Sequence, residues 1–188
     1  HKASADPPLA DGKRIKYMIK IKRRKTRTVR IGNVKIGSSY PVAIQSIVKV
    51  RTKDTLASIN QIRELEEAGC EIVRIAVEDK EDAFSIKQIK RHIRLPLVAD
   101  IHFDYRLALA AIEAGADKIR LNPGNIYKPP EVRDVIAAAK NARIPIRIGA
   151  NSGSLKIKAR DTAQALVKSV MDYLRLFKKL NFHDLVIS

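Results

Sequence analysis

The chain has 188 residues, 45% of them hydrophobic and 30% charged, which suits one folded domain with a real core and argues against disorder. No apolar run reaches the length of a membrane span, and the N-terminus lacks a signal-peptide core, so no membrane partner is expected. A lone cysteine, Cys70, excludes an internal disulfide framework and any multi-cysteine metal site, and a reducing, cytoplasmic setting is the natural expectation.

The net charge of +17 is unevenly spread: residues 1–30 carry eleven Lys/Arg against Asp6 and Asp11. Residues 1–26 are expected to be a basic, flexible tail, densest around "KIKRRKTRTVR", with the first dozen residues outside the fold. Such a run suits nucleic acid or an acidic surface, but no aromatic residues are interleaved to stack on bases, so a solvated tail is the favoured reading.

Residues 27–188 read as one domain. "TVRIGNVKIGS" predicts a hairpin turning at Gly32-Asn33, placed as a plug over a barrel floor. From Tyr40 onward one unit recurs: short apolar strand, polar turn, amphipathic helix. The strands are "YPVAIQSIV", "EIVRIAV", "PLVADIHF", "DKIRLNPGN", "PIRIGANSG" and "DLVIS", with helices starting near Thr55, Asp79, Asp104, Pro129 and Asp161. The helix over 55–69 shows Leu56, Ile59, Ile62 and Leu65 as one apolar face, and "EAG" marks stops at Gly69 and Gly115. Strict alternation means parallel strands with crossover helices, an α/β fold. Nearly every strand carries polar residues at its C-terminal end, which suits a ring of strands facing one mouth. The expected architecture is therefore a (β/α)8 TIM-type barrel of which about six units are present. Two missing units would bare an apolar seam, so a longer protein is expected to supply the remainder.

Strand alternation then assigns faces. Ala43, Gln45 and Ile47 point inward on the first strand and Arg74 and Ala76 on the second. The third contributes Val98, Asp100 and His102, the fourth Lys118, Arg120 and Asn122, and the fifth Arg147, Gly149 and Asn151. Three arginines gathered against one aspartate would cost several kcal/mol without anionic partners. The surplus points to a bound phosphate or diphosphate gripped by guanidinium forks. Asp100 and His102 are the candidate catalytic pair at the mouth; Arg74, Arg120, Asn122, Arg147, Asn151 and Ser154 are the candidate substrate-binding residues. Each has a blander reading: Asp100 neutralising Arg74 or Arg120, His102 a hydrogen-bonded core histidine, "NPGN" and "NSGS" plain turns. Small residues in "NSGS" also expose backbone N–H groups to an anion.

The strings "RRKTRTVRIGNVKIG", "AGCEIVRIAV", "VADIHFDYRLAL", "IRLNPGNI" and "IPIRIGANSGSL" closely resemble the 4-hydroxy-3-methylbut-2-en-1-yl diphosphate synthase family, from about Arg23 to Ser188. The resemblance implies reductive opening of 2-C-methyl-D-erythritol 2,4-cyclodiphosphate by two electrons with loss of water, a step of non-mevalonate isoprenoid biosynthesis. It implies that Arg74, Arg120, Arg147 and Asn151 grip the diphosphate and that Asp100, His102 and Asn122 surround the carbon skeleton. It further implies a 4Fe-4S cluster on a separate C-terminal domain held by three cysteines and a glutamate. Flavodoxin or ferredoxin would donate electrons, and a homodimer would place one subunit's cluster domain over the other's barrel. No cluster ligand set occurs in this chain, which alone is expected to be inactive.

Two departures stand out: "IVKV", Ile47 to Val50, where the family reads Met-Thr-Asn-Thr, and a shortened segment after Leu155. The rival readings are another phosphate-binding TIM-barrel enzyme and a non-catalytic nucleic-acid-binding module using the tail.

Overall fold

The computed structural model describes residues 24–154 and 162–188. The expected basic tail over 1–26 falls almost wholly outside these residues, as does the shortened segment after Leu155.

A short hairpin comes first. β1 (Val29–Ile31) and β2 (Val34–Ile36) pair antiparallel around Gly32-Asn33, as the sequence predicts. Gly32 takes φ +55, the left-handed region demanded at the first central position of a type II′ turn. A Cβ there would lie 3.1 Å from Pro96 Cγ and 3.3 Å from Asp117 Oδ1, so the hairpin tip sits under the starts of two core strands.

Six parallel strands follow in strict sequence order: β3 (Gln45–Ile47), β4 (Ile72–Val77), β5 (Leu97–Ile101), β6 (Lys118–Leu121), β7 (Ile146–Ile148) and β8 (Leu185–Ile187). Among the described residues β3 and β8 are the open edges of this sheet. Between the strands run α1 (Thr55–Glu67), α2 (Lys80–Lys90), α3 (Tyr105–Glu113), α4 (Pro129–Ala142) and α5 (Thr162–Lys179). Their starts match the sequence signals: Asp54, Asp79 and Asp104 cap with side chains accepting from Ala57, Asp82 and Arg106 N–H groups, and prolines fill the first turn of α4. Gly69 and Gly115, at φ +89 and +97, end α1 and α3.

The face predicted for α1 needs one correction. Ile59 and Ile62 are buried and Leu65 packs on the core, but Leu56 is 70% exposed. A pure i+3 series turns about 60° short of a full circle at each step, so Leu56 lies far round the helix from Leu65. Ser58 takes the missing place, its hydroxyl donating to the Arg51 carbonyl at 3.2 Å.

The core has two compartments, divided by strand alternation. Val73, Ile75, Val77, Leu97, Ala99, Ile101, Ile119, Leu121, Ile146 and Ile148 point outward and pack under the helices. Ile72 and Val98 point inward and close with Val29 and Ile31 of the hairpin. The hairpin is thus an apolar plug at the N-terminal end of the strands, as expected. Gln45 lies level with Ile72, Arg74 and Lys118 lie level with Val98, and Asp100, Arg120 and Arg147 stand one step higher.

On the helix side, Tyr173 of α5 is buried and its hydroxyl donates to the Ile126 carbonyl at 2.7 Å, while burial pushes the phenol upward from its ordinary value. Tyr173→Phe orphans that carbonyl and should cost about 1–2 kcal/mol in a urea melt; an unchanged midpoint would mean water replaces the bond.

Candidate functional site

Parallel register sets the inward side chains in two tiers. The lower aligns Arg74 on β4, Val98 on β5 and Lys118 on β6. The upper aligns Ala76, Asp100, Arg120, Arg147 and Val186 across β4 to β8. Neighbouring strands lie about 4.8 Å apart, so Arg120 and Arg147 stand side by side with like charge. Only a shared counter-charge makes such a tier tolerable.

Asp100 supplies part of it. Its Oδ1 accepts from Arg120 Nη1 at 3.0 Å, and its Oδ2 lies 3.6 Å from Arg74 Nε, an ion pair too long for a hydrogen bond. Arg120 Nη2 donates to the Gly149 carbonyl at 3.1 Å, and Arg147 Nε donates to Ser188 Oγ at 2.9 Å. Arg74 Nε is buried with no hydrogen-bond partner. A buried donor left unpaired costs roughly 1–3 kcal/mol, which an acceptor brought to this atom would offset.

The electrostatics agree. Burial holds the Arg147 guanidinium below its ordinary value, with Arg74 and then Arg120 adding to the shift and Asp100 opposing it. Lys118 is 2% exposed and its amine is pushed down to about 8, first by burial and then by Arg147 and Arg74. Four cations therefore share one carboxylate. A low-dielectric enclosure magnifies their repulsion, and a polyanion removes it.

The predicted residues divide by how the backbone carries them. Arg74, Asp100, Arg120 and Arg147 all sit in the ladder and come together. His102 does not belong to it: β5 ends at Ile101, so the register argument that aligned His102 with Asp100 stops one residue short. The partner strand explains the end, because β6 gives way to a turn at Asn122-Pro123 and proline has no N–H to continue the ladder. His102 is half-buried; its carbonyl accepts from Asn125 Nδ2 at 2.5 Å, which ties the loop after β5 to the loop after β6. Its ring meets Phe103 edge-on at 6.1 Å.

Asn122 is buried, and its Oδ1 accepts the Gly124 N–H at 3.0 Å while its carbonyl accepts from Asn125 and Ile126. The turn reading of "NPGN" is therefore real, whatever else the side chain does. Asn151 is exposed just ahead of a single 3-10 turn, Ser152–Ser154. The Ser154 side chain lies outside the described residues.

Three contributors were not selected from the sequence. Gly149 supplies the carbonyl under Arg120, and any Cβ there would stand 2.8 Å from Arg120 Nε. Ser188 positions Arg147, and Lys118 adds the buried amine. The signal was available for two of them, since alternation already placed Gly149 and Lys118 inward.

The loop carrying "IVKV" is pinned rather than open. Lys49 N–H donates to Gln61 Oε1 at 2.6 Å and the buried Thr52 hydroxyl donates to the Ala76 carbonyl at 2.6 Å. Cys70 is buried with its thiol against the Ile72 and Ile44 carbonyls, and no group of three His, Cys, Asp or Glu converges among the described residues. These residues do not fit an iron–sulfur cluster. No helix among them is long and apolar enough to cross a membrane.

Comparison with known proteins bears on the family and the fold. A family model described as the GcpE TIM-barrel domain matches residues 26–188. The chain is 51% identical over 176 residues to a 4-hydroxy-3-methylbut-2-en-1-yl diphosphate synthase (flavodoxin) of Caldanaerobacter subterraneus, covering 91% of this chain and 49% of that protein. It is 49% identical over 162 residues to the protein of the same name from Thermotoga maritima, covering 86% and 47%. The chain thus spans about half the length of these curated relatives. Among solved structures, the 7,8-dihydropteroate synthase of Vibrio fischeri superposes with TM-score 0.63 at 13% identity, covering 86% of this chain and 66% of that one. A Yersinia pestis dihydropteroate synthase bound to a pterine-sulfa conjugate gives 0.65 at 11%, covering 86% and 65%. At such identity these likenesses show the barrel fold alone.

Proposed function

Because the chain belongs to the GcpE TIM-barrel family, we propose that it is the substrate-binding barrel of a synthase that reduces 2-C-methyl-D-erythritol 2,4-cyclodiphosphate to 4-hydroxy-3-methylbut-2-enyl diphosphate. The observation that carries this reading is the surplus of cations at the C-terminal mouth: Arg74 and Arg120 share Asp100, Arg147 stands beside Arg120 with no carboxylate of its own among the described residues, and Arg74 Nε has no hydrogen-bond acceptor. A cyclic diphosphate offers the missing acceptors in the planar, bidentate form that guanidinium groups prefer. Arg120, fixed by Asp100 and Gly149, orients the ring; Arg147, fixed by Ser188, closes its side.

In the net reaction two electrons and two protons enter, the ring's phosphate ester opens at carbon, and one water leaves. A 4Fe-4S cluster would supply the electrons, received from flavodoxin; its ligands are not among these 188 residues, which contain one cysteine. The barrel's task is to bind the diphosphate, exclude water and place a proton donor. His102 is the proposed donor to the departing oxygen, since it stands at the mouth one residue past β5 and carries a ring nitrogen able to donate a proton. A second copy of the chain is the proposed partner, and the cytoplasm the proposed compartment.

The test is anaerobic turnover of the cyclodiphosphate by the full-length protein with reduced flavodoxin. His102→Ala should lower kcat by roughly 10²–10⁴ while leaving the melting temperature nearly unchanged, because His102 is only half-buried. Turnover insensitive to His102→Ala would remove the proton-donor role, and absence of any turnover in the intact protein would remove the reading itself.

A further inference from the structure

Lys118 is a buried amine that the reading above does not use. It stands on β6 two residues below Arg120, on the inward face, and is 2% exposed. Below it the plug contributes only the apolar Val29 and Ile31, with Ile72 and Val98 beside them. The charged groups facing it from the packed strands are Arg74 on β4, Asp100 on β5, Arg120 above it on β6 and Arg147 on β7, while β8 presents Val186. Asp100 is the one carboxylate of this set, and it is engaged by Arg120 and Arg74. Among the described residues Lys118 has no acidic partner. A buried ammonium is ordinarily paired or absent, and here its neighbours are cations. Arg74, in the same tier, carries the buried and unpartnered Nε. Lys118 lies level with Arg74, with Val98 of the intervening strand between them, so both cations of this tier face an anion entering from the mouth.

We propose that Lys118 is a further ligand-binding residue of this site, a fourth cation that meets the anionic ligand from the barrel floor. The proposal rests on the diphosphate reading of the mouth and adds to it a residue and a pH dependence.

The direction of that dependence follows from linkage. In the empty barrel the amine is pushed down to about 8; a bound anion favours its charged form and raises it again. Below pH 8 the amine is protonated with or without ligand, so affinity is flat. Above pH 8 binding must bring a proton in, and affinity falls as pH rises, by up to about tenfold per unit. The stability of the empty protein moves the other way. An unfolded lysine titrates near 10.5, so between about 8 and 10.5 the unfolded state holds more protons, and this group's contribution to stability rises with pH. Arginine and aspartate do not titrate in this window.

The experiment is calorimetric titration of the full-length protein with the cyclodiphosphate from pH 7.5 to 9.5, in two buffers of different ionisation enthalpy. Each phosphorus of that ligand carries one ester and one anhydride link and hence a single strongly acidic oxygen, so the ligand's own charge is constant over the range. The expected result is weakening affinity above pH 8 with proton uptake approaching one per ligand near pH 9. Lys118→Met should abolish the uptake, flatten the profile and weaken binding about tenfold at pH 7.5, while raising the unliganded melting temperature. Lys118→Arg, which keeps its charge, should bind with a flat profile. No proton uptake by the wild type overturns the proposal even where a variant fails to fold, as does an unchanged profile in Lys118→Met. Arg120→Ala, run alongside, separates the two failures. Arg120-dependent binding without Lys118-linked uptake rejects Lys118 alone, whereas binding that is absent or indifferent to Arg120 rejects the site and Lys118 with it.

Discussion

Asp100→Ala is expected to destabilise the unliganded protein by about 3–5 kcal/mol, the usual penalty for removing one member of a buried ion pair and leaving the other uncompensated. The reason is local. Asp100 is 6% exposed, bonded to Arg120 at 3.0 Å and paired with Arg74 at 3.6 Å, and among the described residues no other inward carboxylate serves the tier. Without it Arg74, Lys118, Arg120 and Arg147 face one another alone. Anion should reverse much of the loss: a ligand at a hundred times its Kd adds about 2.7 kcal/mol by mass action. Urea melts of wild type and Asp100→Ala, each with and without sulfate or the cyclodiphosphate, measure both effects. Equal stability without anion would show that the cations are not crowded, and the case for an anion site would lapse. This outcome also bears on the candidate catalytic role of Asp100, because the ion pairs give the carboxylate a structural duty whatever it does in turnover.

Arg120→Ala should weaken binding of the cyclodiphosphate about a hundredfold, near the upper end of what charge-assisted bonds of roughly 1.5–3 kcal/mol deliver. It should exceed the effect of Arg74→Ala or Arg147→Ala, because Arg120 alone is fixed at two points, by Asp100 and by the Gly149 carbonyl. Preorganisation removes the entropy cost of ordering the side chain at the moment of binding. Gly149→Ala gives an independent check. Its Cβ would stand 2.8 Å from Arg120 Nε and 3.2 Å from Nη2, so the guanidinium must swing aside while the backbone of β7 stays in place. Affinity should fall by about tenfold with little change in melting temperature. Calorimetric titration reads both variants, and binding unaffected by either would assign Arg120 a purely structural part.

Much of this protein was legible in its sequence, and the reason is periodicity. Alternation along short strands assigned Arg74, Asp100, Arg120 and Arg147 to one face without a structure, because a parallel ladder leaves no freedom in which way successive side chains point. Capping aspartates and the two "EAG" stops located helix ends for the same local reason. Where periodicity was pressed past the hydrogen-bonded element it failed. His102 was counted into a strand that ends at Ile101, and Leu56 into a helical face that a strict i+3 series cannot hold.

What the sequence by itself determined is therefore the α/β class, the order of the units, the hairpin at Gly32-Asn33 and the list of inward cations, since each depends on near neighbours in the chain. Only the tertiary structure decided what those cations do to one another. That Asp100 is shared between Arg120 and Arg74, that Gly149 and Ser188 fix two guanidinium groups, and that Arg74 Nε is buried without a hydrogen-bond acceptor are facts about residues 20 to 41 positions apart. Their energies depend on distance and on exclusion of water, both set by closing the strands over an apolar plug, and no local pattern encodes them.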